Sequence, residues 1–277
     1  MLIFKDIISS RNNPTVKWAA SLGEKKGRET EGCFIAEGEK LTLEALRRGL
    51  EVTHIFVNAE REERISAMLS EFSDDLRHKN CHVIYLSESA FSKISTEKAP
   101  QGVISVIKYL DFFRNLDIIY KEDFFVFEGE RVLSLYSLRD PGNLGAVIRS
   151  ASAFGVDHIV LSSDSADIYN PKTVRAAMGT MFGVKVTVVR DFRSFINAAR
   201  ECGRNVYAAE LSEGAKSIKN IGLNSRDIFI IGNEGHGIPV DISAACTGSV
   251  YIPISEGVES LNASVAAAIF MWEQNNL

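Results

Sequence analysis

Apolar and polar positions alternate along the chain in two blocks, and each block predicts alternating strands and helices. In the first block the apolar runs FIAEG, VTHIFVN, HVIYL and GVISVIKYL are separated by helical patterns such as LTLEALRRGL and EERISAMLSEF. From Phe124 onward the alternation resumes, with FFVF, VLSLYSL, HIVLS, VKVTVV, NVYAAEL, DIFIIG and SVYIPI as predicted strands. Such alternation is typical of a mostly parallel sheet with helices on both faces. We therefore expect an α/β protein.

The two blocks predict two domains, since 277 residues are long for one compact core. Residues 1–110 are expected to form a small α/β sandwich that begins with a helix or helical hairpin over residues 1–28. The charged and aromatic stretch of residues 111–123 is expected to be a linker. Residues 124–277 are expected to form the larger domain, which is the catalytic candidate.

Three stretches of the second block join a strand-like run to a loop rich in Gly, Asn or Ser and then to a helical pattern. They are LRDPGNLGAVIRSASAFG at residues 138–155, IIGNEGHGIP at residues 230–239 and YIPISEGVESLNASVAAAI at residues 251–269. Loops that follow parallel strands converge at the carboxyl edge of the sheet, where open α/β folds bind ligands. We expect the functional site at this edge.

Several side chains in these stretches suit ligand binding, and each also has a purely structural interpretation. Asn143 is expected at a helix N-cap, and Arg149 six residues later offers a planar set of donors for a phosphate or carboxylate, or a helix-end salt bridge. Glu234 can bind a ligand or hold its own loop. His236 is interpreted as a surface or loop-bracing residue in preference to a general base. Asn262 can donate and accept hydrogen bonds at the start of the last helix.

Other chemistries are not favoured by the sequence. The second stretch has the spacing GxxGxG and lacks an acidic residue about 20 positions on, so it does not match a dinucleotide site. Ser260 and Ser264 have no His and acid at triad spacing. The cysteines contain no CxxC pair, so we expect buried thiols and neither a metal site nor disulfides.

The net charge of −5 is not that of a typical nucleic-acid binder, but the charge is uneven. Residues 1–28 hold six basic and two acidic side chains, which gives this segment a net charge of +4. We expect its basic side chains to form either a solvated helix face or a surface for phosphate. The N-terminus does not have the pattern of a signal peptide, and no apolar run reaches membrane-spanning length. We expect a cytoplasmic protein without membrane contact.

The three stretches resemble motifs 1, 2 and 3 of the SpoU (TrmH-like) branch of the SPOUT RNA methyltransferases, in the family's order and at its separations. SRNNPTVKWAASL and GCFIAEGEKLTLEAL in the first block resemble that family's substrate-binding domain, which is similar to the ribosomal protein L30e fold. Together the resemblance covers nearly the whole chain. It implies an L30e-like domain followed by a SPOUT domain with a C-terminal trefoil knot.

The resemblance also implies the cofactor, the partners and the residues of the site. S-adenosylmethionine would be held largely by backbone groups at Gly232, Ile252 and Leu261, with Asn262 and the region of Ala209 nearby. The implied catalytic residues are Arg149, Asn143, Glu234 and Asn262, with Asn143 and Glu234 orienting Arg149. The implied assembly is a homodimer that acts on RNA without a metal ion.

The implied reaction is transfer of a methyl group to a ribose 2′-hydroxyl. Ribosomal RNA is favoured over tRNA because family members with an L30e-like domain often act on it. Two alternatives stay open: an RNA-binding protein that keeps the fold without catalysis, and a different nucleotide-dependent enzyme such as a dehydrogenase. The modified nucleotide and the proton acceptor do not follow from the sequence.

The chain departs from the family pattern at two places. Tyr136 and Ser137 stand where the family commonly has an acidic residue followed by glycine, which suggests an added hairpin or shifted strand between Glu128 and Ser137. Ala177 stands where a serine is usual. Lys172 and Arg175 beside it are candidates for contact with RNA phosphate or for a solvated helix face.

Overall fold

The computed structural model of the chain describes residues 6–258 and 260–275, without the side chains of residues 125 and 126. Its helices are α1 (Pro14–Ser21), α2 (Lys25–Glu31), α3 (Glu39–Arg47), α4 (Glu62–Leu69), α5 (Ser73–His78), α6 (Glu88–Ile94), α7 (Pro141–Ala153), α8 (Pro171–Ala176), α9 (Phe192–Glu201), α10 (Val240–Ser243) and α11 (Ala263–Asn275). Its strands are β1 (Cys33–Glu37), β2 (Val52–Asn58), β3 (His82–Leu86), β4 (Val103–Lys108), β5 (Phe113–Leu116), β6 (Val132–Leu135), β7 (His158–Ser162), β8 (Lys185–Val189), β9 (Val206–Ala209), β10 (Lys216–Ser217), β11 (Ile228–Ile231) and β12 (Gly248–Tyr251). Short 3₁₀ helices include Lys121–Phe127 and Thr180–Gly183.

The described chain separates into two compact units. Unit 1 contains residues 1–110 together with 167–182, and unit 2 contains residues 111–166 and 183–277. No helix in the described part of the chain is both long and apolar enough to cross a membrane.

Unit 1 is built on a four-stranded sheet in the order β1-β4-β2-β3, in which only β2 and β3 are parallel. On one face, Val16 of α1, Leu22 at its C-cap and Phe91 of α6 pack on Phe56 and Val106 of the sheet. The other face carries α3 and α8, which contact β1. This is the small α/β sandwich that the sequence predicts.

Unit 2 is built on an eight-stranded sheet in the order β10-β12-β9-β11-β6-β7-β8-β5, and every pairing in it is parallel. The central strands β6, β7 and β11 are buried along their whole length, as apolar strands covered on both faces should be. Helix α9 packs on the face that carries Ile228 and Ile230. On the other face, Phe270 of α11 packs against Phe229, with 4.8 Å between ring centroids. The predicted fold class is confirmed; the trefoil knot stays a prediction.

Several predicted elements differ in the structure. FFVF belongs to the 3₁₀ helix Lys121–Phe127, not to a strand, and residues 128–137 form a turn and β6, not a hairpin. The expected linker of residues 111–123 contains β5, which pairs with β8 at the edge of the sheet. The helix predicted over residues 171–182 ends at Ala176, because Met178 and Gly179 both have a left-handed backbone.

The cysteine prediction is half right. Cys33 and Cys246 are buried, and burial raises the pKa of Cys246 to about 12. Cys81 is half-buried, and Cys202 is exposed because it lies at the C-terminal end of α9. All four are free thiols.

Candidate functional site

Four neighbouring strands of unit 2, in the order β12-β9-β11-β6, end at the same edge of the sheet. Ala209 is the last residue of β9, and its register neighbours are Ile231 of β11 and Val250 of β12. Gly232 and Ile252 directly follow those two strands, so the backbones of Ala209, Gly232 and Ile252 lie side by side. Three of the five residues expected to hold a cofactor therefore meet at this edge.

Helix α7 begins beside this edge, and its N-cap is Asp140. The Asp140 carboxylate accepts the Asn143 N–H at 2.8 Å, and Pro141 occupies the first turn, where its missing N–H has no consequence. The prediction that Asn143 is the N-cap is therefore wrong. Because Asp140 performs that role, the side chain of Asn143 is available for other contacts.

The side chain of Asn143 joins the other two stretches. Its Nδ2 donates to Oε1 of Glu234 at 3.0 Å, and its Oδ1 accepts from Nδ2 of Asn262 at 3.0 Å. The three residues are 91 and 119 positions apart in sequence. The structure thus brings three of the four predicted catalytic residues into one hydrogen-bonded row.

Asn262 is fixed at the other end of this row because it also caps α11. Its Oδ1 accepts from the Ser264 N–H at 2.9 Å and from the Ser264 hydroxyl at 2.6 Å. Leu261 precedes it directly and is half-buried. Both predicted residues of the third stretch therefore lie at the start of the last helix.

Glu234 is carried by a small closed loop. Asn233 and Gly237 exchange two backbone hydrogen bonds of 3.0 Å, and Oδ1 of Asn233 accepts the N–H groups of Gly235 and His236. A Cβ on Gly232 would lie 2.6 Å from the carbonyl carbon of Gly237, so the closure of the loop requires glycine there.

Asn233 and His236 are two further residues of this loop. Sequence reasoning missed Asn233; the preference of asparagine for turns that it closes with its own side chain was the available signal. The His236 ring is exposed, with Nδ1 3.2 Å from Oδ1 of Asn233. The ring thus braces the loop, and it makes no hydrogen bond with Glu234 or Asn143 among the described residues.

Arg149 lies two turns along α7 and is exposed. Within the described residues it has neither a hydrogen bond nor an ion pair, so the expected orientation of Arg149 by Asn143 and Glu234 is not made through direct hydrogen bonds. Its guanidinium is free to meet a ligand from solvent.

Two arginines that the sequence offered as candidates for phosphate contact or for a solvated helix face are instead engaged inside unit 1. Arg28 is buried and donates to Asp167 at 2.5 Å and to the carbonyls of Leu22 and Gly23. Arg175 forms an ion pair with Glu97. The N-terminal basic surface therefore lacks Arg28, and Lys5 lies outside the described residues.

Comparison with known proteins agrees with this geometry. Residues 130–272 match the model of the SpoU rRNA Methylase family, and residues 13–105 match the MRM3-like substrate binding domain. The chain belongs to the SpoU rRNA methylase family. The first match contains all three stretches of the site, and the second lies within unit 1.

Members of this family resemble the chain over nearly its whole length. The 23S rRNA (guanosine(2553)-2′-O)-methyltransferase of Bacillus subtilis is 32% identical over 97% of this chain and 98% of its own. The 23S rRNA (uridine(2479)-2′-O)-methyltransferase of Streptomyces viridochromogenes is 27% identical over 96% of this chain and 90% of its own. A crystal structure of an AdoMet-bound rRNA methyltransferase from Sinorhizobium meliloti superposes with a TM-score of 0.79 at 28% identity, covering 98% of this chain and 97% of that one.

Proposed function

We propose that this protein is an S-adenosylmethionine-dependent RNA methyltransferase that methylates a ribose 2′-hydroxyl of ribosomal RNA. The observation that carries the proposal is the row Glu234–Asn143–Asn262, which joins the three stretches of a SpoU-family domain at the carboxyl edge of its sheet. Two relatives are named as ribose 2′-O-methyltransferases of 23S rRNA, one for a guanosine and the other for a uridine. The shared chemistry therefore supports the reaction but not a particular nucleotide.

The edge of the sheet fits a cofactor that is held by backbone groups. The N–H groups of Ile252 and Leu261 have no hydrogen-bond partner in the described part of the chain. Together with Gly232 and Ala209 they offer donors and small or aliphatic walls, which suit the adenosine and the methionine backbone of S-adenosylmethionine. When bound, this cofactor supplies a methyl group on a positively charged sulfur, which is activated without a metal ion.

The residues of the site then position the acceptor. A 2′-hydroxyl is a weak nucleophile, so it must be aligned with the methyl group, and its developing negative charge must be stabilised. A guanidinium in a protein is not a proton acceptor, so we assign Arg149 to bind the adjacent phosphate and to stabilise the alkoxide, not to act as the base. Asn143, Glu234 and Asn262 fix the three loops of the site against one another.

We further propose a homodimer formed through α11. Val265 and Trp272 are exposed by 48% and 53% and lie seven residues apart, which places them on one face of the helix. A second copy of the chain that covers this face would bury both side chains.

A ribosomal RNA substrate also determines where the protein works. The enzyme must meet ribosomes or their precursors, so we place it in the cytoplasm. Unit 1, which contains the substrate-binding match, would select the RNA.

Arg149→Ala tests the proposed reaction. We expect methyl transfer to rRNA to fall by at least about a thousandfold, because the charged group at the acceptor is lost, while S-adenosylmethionine affinity changes less than about twofold. Mass-spectrometric mapping of ribose methylation on purified rRNA and tRNA measures transfer, and calorimetry measures cofactor binding. Arg193→Ala, at an exposed arginine of α9, is the matched control.

The outcomes separate the alternatives. A fully active Arg149→Ala protein would remove Arg149 from the mechanism. Methylation of tRNA and not of rRNA would show that the substrate is tRNA. A wild-type protein that binds RNA but not S-adenosylmethionine would be a non-catalytic RNA-binding protein.

A further inference from the structure

One side chain of the loop that carries Glu234 attaches it to Ser137, two residues beyond the end of β6. Nδ2 of Asn233 donates to the carbonyl of Ser137 at 2.7 Å, while Oδ1 of Asn233 holds the N–H groups inside the loop. The position of Glu234 therefore depends on where the Ser137 carbonyl points.

The backbone of Ser137 has a φ of 54°, a left-handed conformation that is strained for a residue with a side chain. Such a conformation persists only where surrounding contacts hold it. Ser137 is 7% exposed, so those contacts come from the protein and not from solvent.

The contacts are supplied by Ser162 and Asp164, which lie at the end of β7 and just beyond it. The Ser137 N–H donates to Oγ of Ser162 at 2.7 Å, and the Ser137 hydroxyl donates to Oδ2 of Asp164 at 2.6 Å. The Ser162 hydroxyl donates in turn to Oδ1 of Asp164 at 2.6 Å. One carboxylate thus accepts from the hydroxyl of Ser137 and from the Ser162 hydroxyl that holds the Ser137 N–H. It can serve both because an ionised carboxylate only accepts hydrogen bonds.

We propose that Asp164, Ser137 and Asn233 are positioning residues that set the Glu234 loop against Asn143, an inference that rests on the proposed methyltransfer. The chain of contacts runs from Asp164 through Ser137 to Asn233, and the loop of Asn233 then presents Glu234 to Asn143 at 3.0 Å. None of the three touches Asn143 or Asn262 in the described hydrogen bonds.

The ionisation of Asp164 is consistent with this role. Burial raises the pKa of its carboxyl, but the hydrogen bonds from Ser137, Ser162 and Arg139 outweigh burial and lower the pKa overall. The carboxylate is therefore charged at neutral pH, in the form that accepts from both serines.

Isosteric variants test the proposal. Asp164→Asn replaces one accepting oxygen by a donor, and Asn233→Asp removes the donor to the Ser137 carbonyl while keeping the oxygen that organises the loop. We expect each to lower kcat for rRNA methylation about tenfold, because the reacting groups are misplaced, with KM for rRNA and cofactor affinity within about twofold of wild type. Asp117→Asn, in an exposed ion pair with Arg190, is the control and should leave kcat, KM and cofactor affinity unchanged.

Two substitutions at Ser137 separate the backbone effect from the side chain. Glycine adopts the left-handed conformation without strain, so Ser137→Gly should retain activity within about threefold of wild type. Ser137→Ala keeps the strain and loses the hydroxyl, so its kcat should fall about tenfold. Equal activity of the two variants would overturn the role of the Ser137 backbone.

Amide hydrogen exchange gives a readout that needs no substrate. Asp164→Asn should speed exchange of the Gly235 and His236 amides about tenfold, while amides of the central strands stay protected. Unchanged exchange and unchanged kcat would overturn the proposal, as would a loss confined to the unfolding temperature. If exchange responds as expected but the wild-type protein methylates no rRNA, the positioning chain stands and the proposed function fails.

Discussion

Asn143 can join two loops because a side-chain amide donates and accepts at the same time. It donates to Glu234 and accepts from Asn262, while the stability of its own helix depends on Asp140. Helix capping and site assembly are therefore separate functions of two residues three positions apart.

This separation predicts that one alanine variant loses activity and the other loses stability. Asn143→Ala should lower kcat about a hundredfold, because Glu234 and Asn262 lose their common partner, with little change in stability. Asp140→Ala should lower the free energy of unfolding by about 1 kcal/mol, because α7 loses its cap. Urea unfolding and methyl-transfer assays measure the two effects, and an Asn143→Ala protein as unstable as Asp140→Ala would contradict the assignment.

At the same scale, the sequence predicts which loops contain site residues better than it predicts their partners. The strand-loop-helix pattern places Asn143, Glu234 and Asn262 at one edge, because parallel strands share their carboxyl ends. The support from Asp164 to Asn233 depends on a left-handed serine and on side chains from separate strands. No local pattern encodes such distant contacts.

Among the elements, a buried histidine at the amino end of β7 connects Glu130, two residues before β6, to Thr187 of β8. His158 donates from Nδ1 to Glu130 at 2.8 Å and accepts at Nε2 from the Thr187 hydroxyl at 2.8 Å, since a carboxylate can only accept. Lys185 also contacts Glu130. This network lies at the edge opposite the site.

The network predicts that stability falls as the solution is acidified. Burial lowers the pKa of His158 although Glu130 opposes the change, so below an unfolded pKa of about 6.5 the unfolded chain binds the proton more readily. Burial raises the pKa of Glu130, but hydrogen bonds from Lys185 and His158 lower the pKa overall, so the contribution of Glu130 to stability is lost as pH falls through its lowered folded pKa.

Replacing the histidine isolates its share of this pH dependence. Glutamine can keep both hydrogen bonds without titrating, so His158→Gln should flatten the decrease in the free energy of unfolding between about pH 7 and pH 5. Urea unfolding at several pH values measures the slope, with His78→Gln, at an exposed histidine, as the control. An unchanged slope in His158→Gln would show that other groups dominate.

The elements that the sequence mispredicts have physical reasons. FFVF is a continuous apolar run, and such a run does not distinguish a strand from a short buried helix. Here the carbonyls of Phe127 and Glu130 accept from the buried Arg204, a contact with a residue 77 and 74 positions away. Strand β5, FRNL, was missed because it is a half-exposed edge strand without an apolar pattern.

For the whole molecule, the division into units does not follow the order of the chain. Residues 167–182 leave the sheet of unit 2 after β7 and group with unit 1 before the chain returns to β8. Within unit 1, the ring of Tyr169 stacks on the ring of Tyr109, with 4.0 Å between their centroids, and its centroid is 4.8 Å from that of Phe34. A boundary drawn along the sequence could not find this segment, because its contacts are with residues more than 50 positions away.

The Arg28–Asp167 ion pair should hold that segment in unit 1. Asp167→Ala leaves a buried guanidinium without its carboxylate, so we expect the free energy of unfolding to fall by about 3 kcal/mol. Asp74→Ala removes an exposed ion pair with Arg77 and should cost less than about 1 kcal/mol. Urea unfolding compares the two, and equal losses would mean that the buried pair does not anchor the segment.

Assembly of the proposed dimer requires the exposed apolar face of α11. Trp272 packs edge-on against Phe154, the C-cap of α7, with 5.9 Å between ring centroids, so the face is supported by a neighbouring helix and offers a firm surface to a second copy. Light scattering after size exclusion should give twice the chain mass of 30.6 kDa for the wild-type protein. Val265→Asp should shift the measured mass toward one chain mass, because a carboxylate would be buried without a partner.

Ile118→Asp, at an apolar side chain of similar exposure elsewhere in unit 2, is the control and should leave the measured mass unchanged. A monomeric wild-type protein, or dissociation by Ile118→Asp alone, would place the interface elsewhere or remove it.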